Sequence, residues 1–144
     1  MVCCFFGHRD TPESVRPLLR EEIIKLLEKY DGIMFYVGTH GSFDAMVRNT
    51  LRELKATYSH LRYNVVLAYL PVERAGAEDT YEDTIYPEGL ENVPKRFAIS
   101  ARNKWMVDRA DIVVCYVTKR VGGAAQFVDL AERKGKRIVN LANI

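Results

Sequence analysis

The sequence predicts an α/β domain of Rossmann-like architecture, built on a doubly wound parallel sheet. Two observations predict this fold. Short apolar runs alternate with longer amphipathic segments along the 144 residues, which is the pattern of successive βαβ units. Glycine-bearing loops also follow several apolar runs and open directly into the next amphipathic segment. We therefore expect a single domain over 1–144 with five parallel strands and four main helices, joined by right-handed crossovers.

The predicted strands are continuous apolar runs, as expected for strands that helices cover on both faces. They span 2–6, 33–37, 65–70, 112–117 and 138–141. Pro71 closes the third strand, because proline cannot donate to a sheet ladder. In a doubly wound sheet of this kind, the first and fourth strands are expected side by side at the centre.

The predicted helices show apolar residues at helical spacing. The first begins at Thr11 or Ser14 and ends at Asp31-Gly32, and a start at Ser14 places Pro17 harmlessly in the first turn. The others span 43–57, 96–109 and 124–134, with Gly135 as the residue that ends the last one.

A stretch at 72–94 has no predicted element. It carries seven acidic residues, and a loop of this length in a compact domain is usually a lid or an interface arm. A plain solvated loop is the alternative.

Composition and charge restrict the class of protein. The chain is 48% hydrophobic and 28% charged, as in soluble globular domains. It has no apolar run of the roughly 18 residues that span a membrane and no signal-peptide pattern, so we expect a cytoplasmic protein without a membrane partner. The net charge of +2 argues against nucleic acid as a partner. The basic residues at 133–137 are explained by the end of a helix, where cations are favourable.

The three cysteines, Cys3, Cys4 and Cys115, are predicted to be buried thiols, because all lie in apolar strand-like runs. Their odd number does not suggest a disulfide framework, and no zinc-ligand spacing occurs. We expect neither a metal nor a cofactor.

The candidate ligand-binding residues follow the predicted strands. Ligands of open parallel sheets bind beyond the carboxyl ends of the strands, and two glycine-bearing loops there open into helices, which offers free N–H groups and a positive dipole end to a phosphate. Turns and close packing are the alternative explanation of the glycines, and neither a G-x-G-x-x-G nor a Walker pattern is present. The candidates are Gly7, His8, Arg9, Gly38, Thr39, His40, Gly41, Asp44, Gly122, Gly123 and Ala124.

Four segments together resemble the SLOG superfamily, which joins the Smf/DprA proteins to the Lonely Guy phosphoribohydrolases. They are Cys4-Phe5-Phe6-Gly7-His8-Arg9, the loop 38–44, the helix segment 102–108, and Gly122-Gly123-Ala124. Within the superfamily, the sequence is most similar to a short bacterial branch that begins with a strand and Gly-His-Arg. The resemblance implies a Rossmann-like fold, a nucleotide-type ligand and a homodimer. It also implies that Asp44 meets a ribose hydroxyl, whereas its place in the first turn of a helix explains it equally well.

The hydrolases of this superfamily suggest a catalytic pair. Arg102 precedes Met106 by the spacing of their arginine, and Asp129 falls where they carry a catalytic glutamate that helps to cleave a ribosyl N–C bond. The sequence departs from their P-G-G-x-G-T-x-x-E loop, because Val121 replaces the proline and Ala125-Gln126 replace Gly-Thr. The alternative for Asp129 is a solvated partner of Arg133 one helical turn on.

These observations order three hypotheses. A sensor or binding module for a nucleotide or nucleotide-derived small molecule comes first, because it needs the glycine loops but no catalytic acid. A nucleoside-5'-monophosphate N-ribosyl hydrolase comes second. A nucleic-acid-handling or interaction protein of the Smf/DprA type comes third, because the net charge is near neutral.

Overall fold

A computed structural model gives the architecture and describes residues 1–70 and 83–144. Strands and helices alternate along most of the described residues, as the sequence predicts. The elements are β1 (Val2–Gly7), α1 (Arg16–Lys29), β2 (Met34–Val37), α2 (Gly41–Thr57), β3 (Arg62–Val66), β4 (Thr84–Ile85), α3 (Ala98–Arg109), β5 (Ile112–Tyr116), α4 (Gly123–Arg133) and β6 (Arg137–Asn140). Short 3₁₀ turns cover Glu13–Val15, Leu90–Asn92, Lys95–Phe97 and Leu141–Asn143.

The strands form one sheet in the order β4-β3-β2-β1-β5-β6, and all pairs are parallel. This confirms the α/β Rossmann-like class and the adjacent position of β1 and β5 at its centre. The number of strands is corrected from five to six. The added strand, β4, pairs Thr84 and Ile85 with Val65 and Val66. It lies inside the stretch that was expected to be a loop. The sequence does not reveal it, because two residues are too few to show the period of a strand.

The third strand was expected over 65–70 but spans Arg62–Val66. Its first residues are polar or only partly buried. A prediction from hydrophobicity therefore places the strand too late, on the apolar residues that follow. Leu67 and Ala68 are buried without belonging to the strand. Pro71, expected to close it, and the first part of the acidic stretch lie outside the described residues.

Two separate cores flank the sheet because successive strand residues point to opposite faces. Cys3 and Phe5 pack with α1 and α2, whereas Cys4 and Phe6 pack with α3 and α4. The three cysteines are buried free thiols, as predicted. Burial raises the pKa of the Cys115 thiol to about 12, so this sulfur stays protonated and unreactive at neutral pH.

Helix ends follow the expected chemistry. The first helix begins with a 3₁₀ turn at Glu13–Val15, and Pro17 lies in the first turn of α1, where its missing N–H breaks no helical bond.

Across residues 1–70 and 83–144, no helix combines the length and the apolar character needed to cross a bilayer.

Candidate functional site

A cleft of about 390 Å³ opens at the carboxyl ends of the central strands. It lies where the chain reverses its winding, since β1 continues to α1 on one face of the sheet and β5 to α4 on the other. Ligands of open α/β sheets bind at this kind of point. The cleft is lined by Phe5, Phe6, Gly7, His8, Arg9, Asp10, Gly38, His40, Asp44, Ile99, Arg102, Asn103, Gly122, Gly123 and Ala124.

Most of the predicted ligand-binding residues meet in this cleft. Of the eleven named from the sequence, all but Thr39 and Gly41 line it, and Arg102 joins them. Five lining residues were not predicted as site residues: Phe5, Phe6, Asp10, Ile99 and Asn103, of which the last two lie on α3. Asn103 stood within a segment that carries the family resemblance, but Ile99 has no signal that separates it from a core residue of an amphipathic helix.

The amino-terminal end of α4 forms one wall of the cleft. Gly122 precedes the helix with φ 106° and ψ 173°, a backbone conformation that essentially only glycine adopts. No described side chain caps α4, and its first turn has no acidic residue. The first N–H groups of a helix lack partners inside it, so this wall offers N–H donors and a partial positive charge to an anion.

Gly7 sets the distance between β1 and α2 at the base of the cleft. A Cβ atom placed on Gly7 would lie 2.2 Å from Cγ of Phe43, and Phe43 is fully buried. The absence of a side chain therefore lets the first turn of α2 pack directly against the end of β1. Close packing of α2 against β1 therefore explains the glycine at this position.

Arg102 is held beneath the cleft by hydrogen bonds from its guanidinium group. Nη1 donates to the carbonyl oxygen of Val66 at 2.9 Å and to Oγ1 of Thr39 at 3.2 Å, and Nε donates to Asn103 at 2.7 Å. The residue is only 1% exposed. Arg102 thus joins α3 to the ends of β2 and β3, and it fixes the loop that carries Thr39 and His40.

The same guanidinium group fixes the tautomer of His40. Nη2 of Arg102 lies 3.3 Å from Nδ1 of His40, and a guanidinium group can only donate. Nδ1 is therefore the acceptor, and Nε2 carries the proton. Burial lowers the pKa of His40, and the neighbouring Arg102 lowers it further. His40 is accordingly a neutral ring that presents one N–H donor at neutral pH.

Asp44 is the buried acid of the site, at 8% exposure. Its Oδ2 accepts the backbone N–H of His40 at 3.0 Å. Burial raises the pKa of Asp44 to about 6, while the His40 N–H and the charges of Arg102 and Arg48 oppose the rise. Gly38 lies between this carboxylate and Arg102, since a Cβ there would be 2.7 Å from Oδ2 and 3.0 Å from Cζ. A carboxylate at this position can accept a hydrogen bond from a ligand hydroxyl or amino group.

The loop after β1 completes the mouth of the cleft. Nε2 of His8 accepts the backbone N–H of Thr118 at 2.9 Å, which ties this loop to the chain leaving β5. The carbonyl oxygen of Arg9 accepts the N–H of Ser42 at 2.9 Å, and Arg9 itself is exposed. Arg9 therefore adds an accessible positive charge to the lining of the cleft, next to the exposed acid Asp10.

Asp129 does not belong to this arrangement. It is exposed on α4, whose buried face consists of Ala125, Phe127, Val128 and Ala131. The structure brings Arg102 to the cleft but leaves Asp129 outside the residues that line it. The described geometry therefore gives no support to the pair expected for ribosyl hydrolysis.

Solved structures share this fold, among them two of DNA processing protein A. DNA processing protein A (DprA) from Streptococcus pneumoniae superimposes with a TM-score of 0.66 at 16% identity, over 94% of this chain and 48% of that one. DprA from Helicobacter pylori, whose structure concerns its single-stranded DNA binding mode, gives 0.65 at 13% identity, over 96% of this chain and 63% of that one. No family model and no curated protein matches the sequence.

These likenesses confirm the fold, which is the fold that the resemblance implies. The chain spans less than two thirds of the length of either DprA protein. The Gly-His-Arg branch, the homodimer and the cytoplasmic location stay predictions.

One expectation is wrong. The net charge of +2 led us to expect that nucleic acid is not a partner, yet a protein of the same fold binds single-stranded DNA. Net charge averages over the whole surface, whereas binding depends on the field of a local groove. The near-neutral charge of this chain therefore excludes no nucleic-acid ligand.

Proposed function

We propose that this chain binds single-stranded nucleic acid and that one nucleotide of the strand enters the cleft at the ends of β1, β2 and β5. The observation that carries the proposal is the composition of the cleft. The uncapped start of α4 and the exposed cation of Arg9 face one cavity. Backbone N–H groups at a helix start and an arginine are the groups that bind phosphate oxygens.

The polar floor suits the rest of a nucleotide. His40 offers a neutral N–H donor, and Asp44 offers a carboxylate acceptor. Phe5, Phe6 and Ile99 add apolar surface to the lining. A mixture of apolar walls and a few fixed polar groups is typical of small-ligand pockets. The fold shared with the single-stranded DNA-binding Helicobacter pylori protein favours a strand over a free nucleotide.

A free nucleotide is the second candidate, and the size of the cleft favours it. About 390 Å³ lies near the lower end of the 300–1,000 Å³ typical of small-molecule pockets, which suits one nucleotide. We do not propose hydrolysis, because Asp129 lies outside the cleft.

The test is fluorescence anisotropy with a labelled oligothymidine, with unlabelled nucleoside monophosphate as competitor. Gly123→Leu should abolish binding, because Gly123 lines the cleft. It should leave the fold undisturbed, because no atom lies within 4 Å of a Cβ placed there. Gln126→Leu is the matched control, since Gln126 is exposed on the same helix and does not line the cleft. Full binding by the Gly123→Leu protein, with an unchanged circular-dichroism spectrum, would refute the proposal. Competition by the monophosphate at equal affinity would favour the second candidate.

A further inference from the structure

Beside the cleft lies a second exposed surface that combines aromatic rings with cations. Tyr69 follows β3 and is 37% exposed, and Phe97 precedes α3 and is 51% exposed. Lys95 and Arg96 directly precede Phe97 in the sequence, and both are exposed. We call these four residues the ledge.

The ledge is held together by contacts among its members. The hydroxyl of Tyr69 donates to the carbonyl oxygen of Lys95 at 3.2 Å, and Nζ of Lys95 lies 5.7 Å from the centre of the Tyr69 ring. The guanidinium group of Arg96 lies 4.8 Å from the centre of the Phe97 ring. Two distant segments of the chain thus place two rings and two cations on one surface.

The ledge continues directly from the cleft. The ring of Tyr69 meets the ring of His40 edge-on, with centroids 6.2 Å apart, and His40 lines the cleft. Two residues after Phe97, Ile99 also lines it. A ligand that leaves the cleft on the α3 side therefore passes over the ledge.

Among the described residues, no ion pair engages Lys95 or Arg96. Exposed rings next to cations are the combination that holds single-stranded nucleic acid, because bases stack on the rings while the cations follow the phosphates. A lone apolar patch would not need the cations, and a purely basic patch would not need exposed rings.

We infer that the ledge binds the nucleotides that flank the one held in the cleft, by base stacking on Phe97 and Tyr69 and by phosphate contacts from Lys95 and Arg96. This inference rests on the proposed function and extends it from one nucleotide to a short strand. It assigns the direction in which the strand leaves the cleft, toward the start of α3.

The length dependence of binding tests the ledge separately from the cleft. Anisotropy competition with oligothymidines of one to six nucleotides should show affinity rising with length for the unaltered protein. Phe97→Ala should weaken binding of the longer strands by about tenfold, within the range for loss of one base stack, and should leave binding of the mononucleotide unchanged. Phe97→Trp should keep the length dependence, and Phe97→Leu, which is apolar but cannot stack, should weaken long-strand binding as Phe97→Ala does.

Salt dependence tests the cations. For single strands, each phosphate contact adds about 0.7 to the slope of log affinity against log salt, so Arg96→Gln should lower the slope by about that amount. Arg133→Gln is the matched control, because Arg133 is exposed at the far end of α4. If Phe97→Ala and Arg96→Gln bind long strands as tightly as the unaltered protein does, the ledge is refuted and the cleft stands. If Gly123→Leu also binds normally, the proposed function itself fails.

Discussion

The contact between Gly7 and Phe43 gives a quantitative prediction for the stability of the fold. In Gly7→Ala, the new methyl carbon would lie 2.2 Å, 2.4 Å and 2.7 Å from three Phe43 carbons. Carbon atoms in contact prefer about 3.5–4.0 Å, so the overlap exceeds about 1 Å. The Phe43 ring cannot simply rotate away, because its Cβ is one of the three atoms and the side chain is fully buried.

Relief of this overlap requires α2 to move away from β1. Overpacking of this kind costs about 1–3 kcal/mol and occasionally more. The clash with Cβ of Phe43, which rotation of the ring cannot relieve, places this case at about 3 kcal/mol. For a chain of this length we expect the melting temperature to fall by about 10 °C. Urea denaturation should show a lower midpoint with an unchanged m-value.

Gly123→Ala is the matched control for this experiment. Nothing lies within 4 Å of a Cβ at Gly123, and alanine is favoured over glycine in a helix, so its stability should stay within about 0.5 kcal/mol of the unaltered protein or rise above it. A Gly7→Ala protein as stable as Gly123→Ala would show that the packing argument is wrong.

Two further substitutions test the backbone and the charge of the cleft. Gly122→Ala should lower the free energy of unfolding by about 1–3 kcal/mol, as measured by thermal unfolding. A Cβ there meets no other atom, but φ 106° and ψ 173° strain any residue other than glycine. A loss of stability equal to that of Gly123→Ala would contradict this. Asp44→Asn tests pH dependence. Burial raises the pKa of Asp44 to about 6 from its ordinary 3.8, so the folded state binds the proton more tightly than the unfolded state does. The stabilisation from the protonated form is complete below about pH 4 and is lost as the pH rises through about 6, by up to about 3 kcal/mol. In urea titrations over this range, the stability of the unaltered protein relative to Asp44→Asn should fall as the pH rises, and a constant difference would refute the assigned cause.

The fold was predictable because its signals are local. The apolar runs of β1 and β5 and the glycine that ends β1 are read directly from the sequence, and together they fix the centre of the sheet. The short strand β4 was missed because Thr84 and Ile85 are a strand only through their pairing with β3. Such pairing depends on tertiary contacts rather than on propensity.

The site was predictable in position but only partly in role. The rule that ligands bind beyond the strand ends identified His40, Asp44 and the glycines of α4. It could not show that Arg102 is buried and donates to Val66 and Thr39, because spacing along a helix does not reveal which groups of other elements a side chain meets. Asp129 differs, because the apolar periodicity of α4 places it on the exposed face, as the solvated alternative required.

The order of the strands has a consequence for how the protein folds. The face covered by α1 and α2 draws most of its core from residues between Cys3 and Leu67, so the first half of the chain can begin to collapse as soon as it is synthesised. The central strand β1, however, pairs with β5 only when Cys3 meets Ile112. Closing so long a loop is entropically costly and makes folding slow. The cleft needs both β1 and β5, so we expect ligand binding to appear in the last kinetic phase of refolding, after most helical signal has returned.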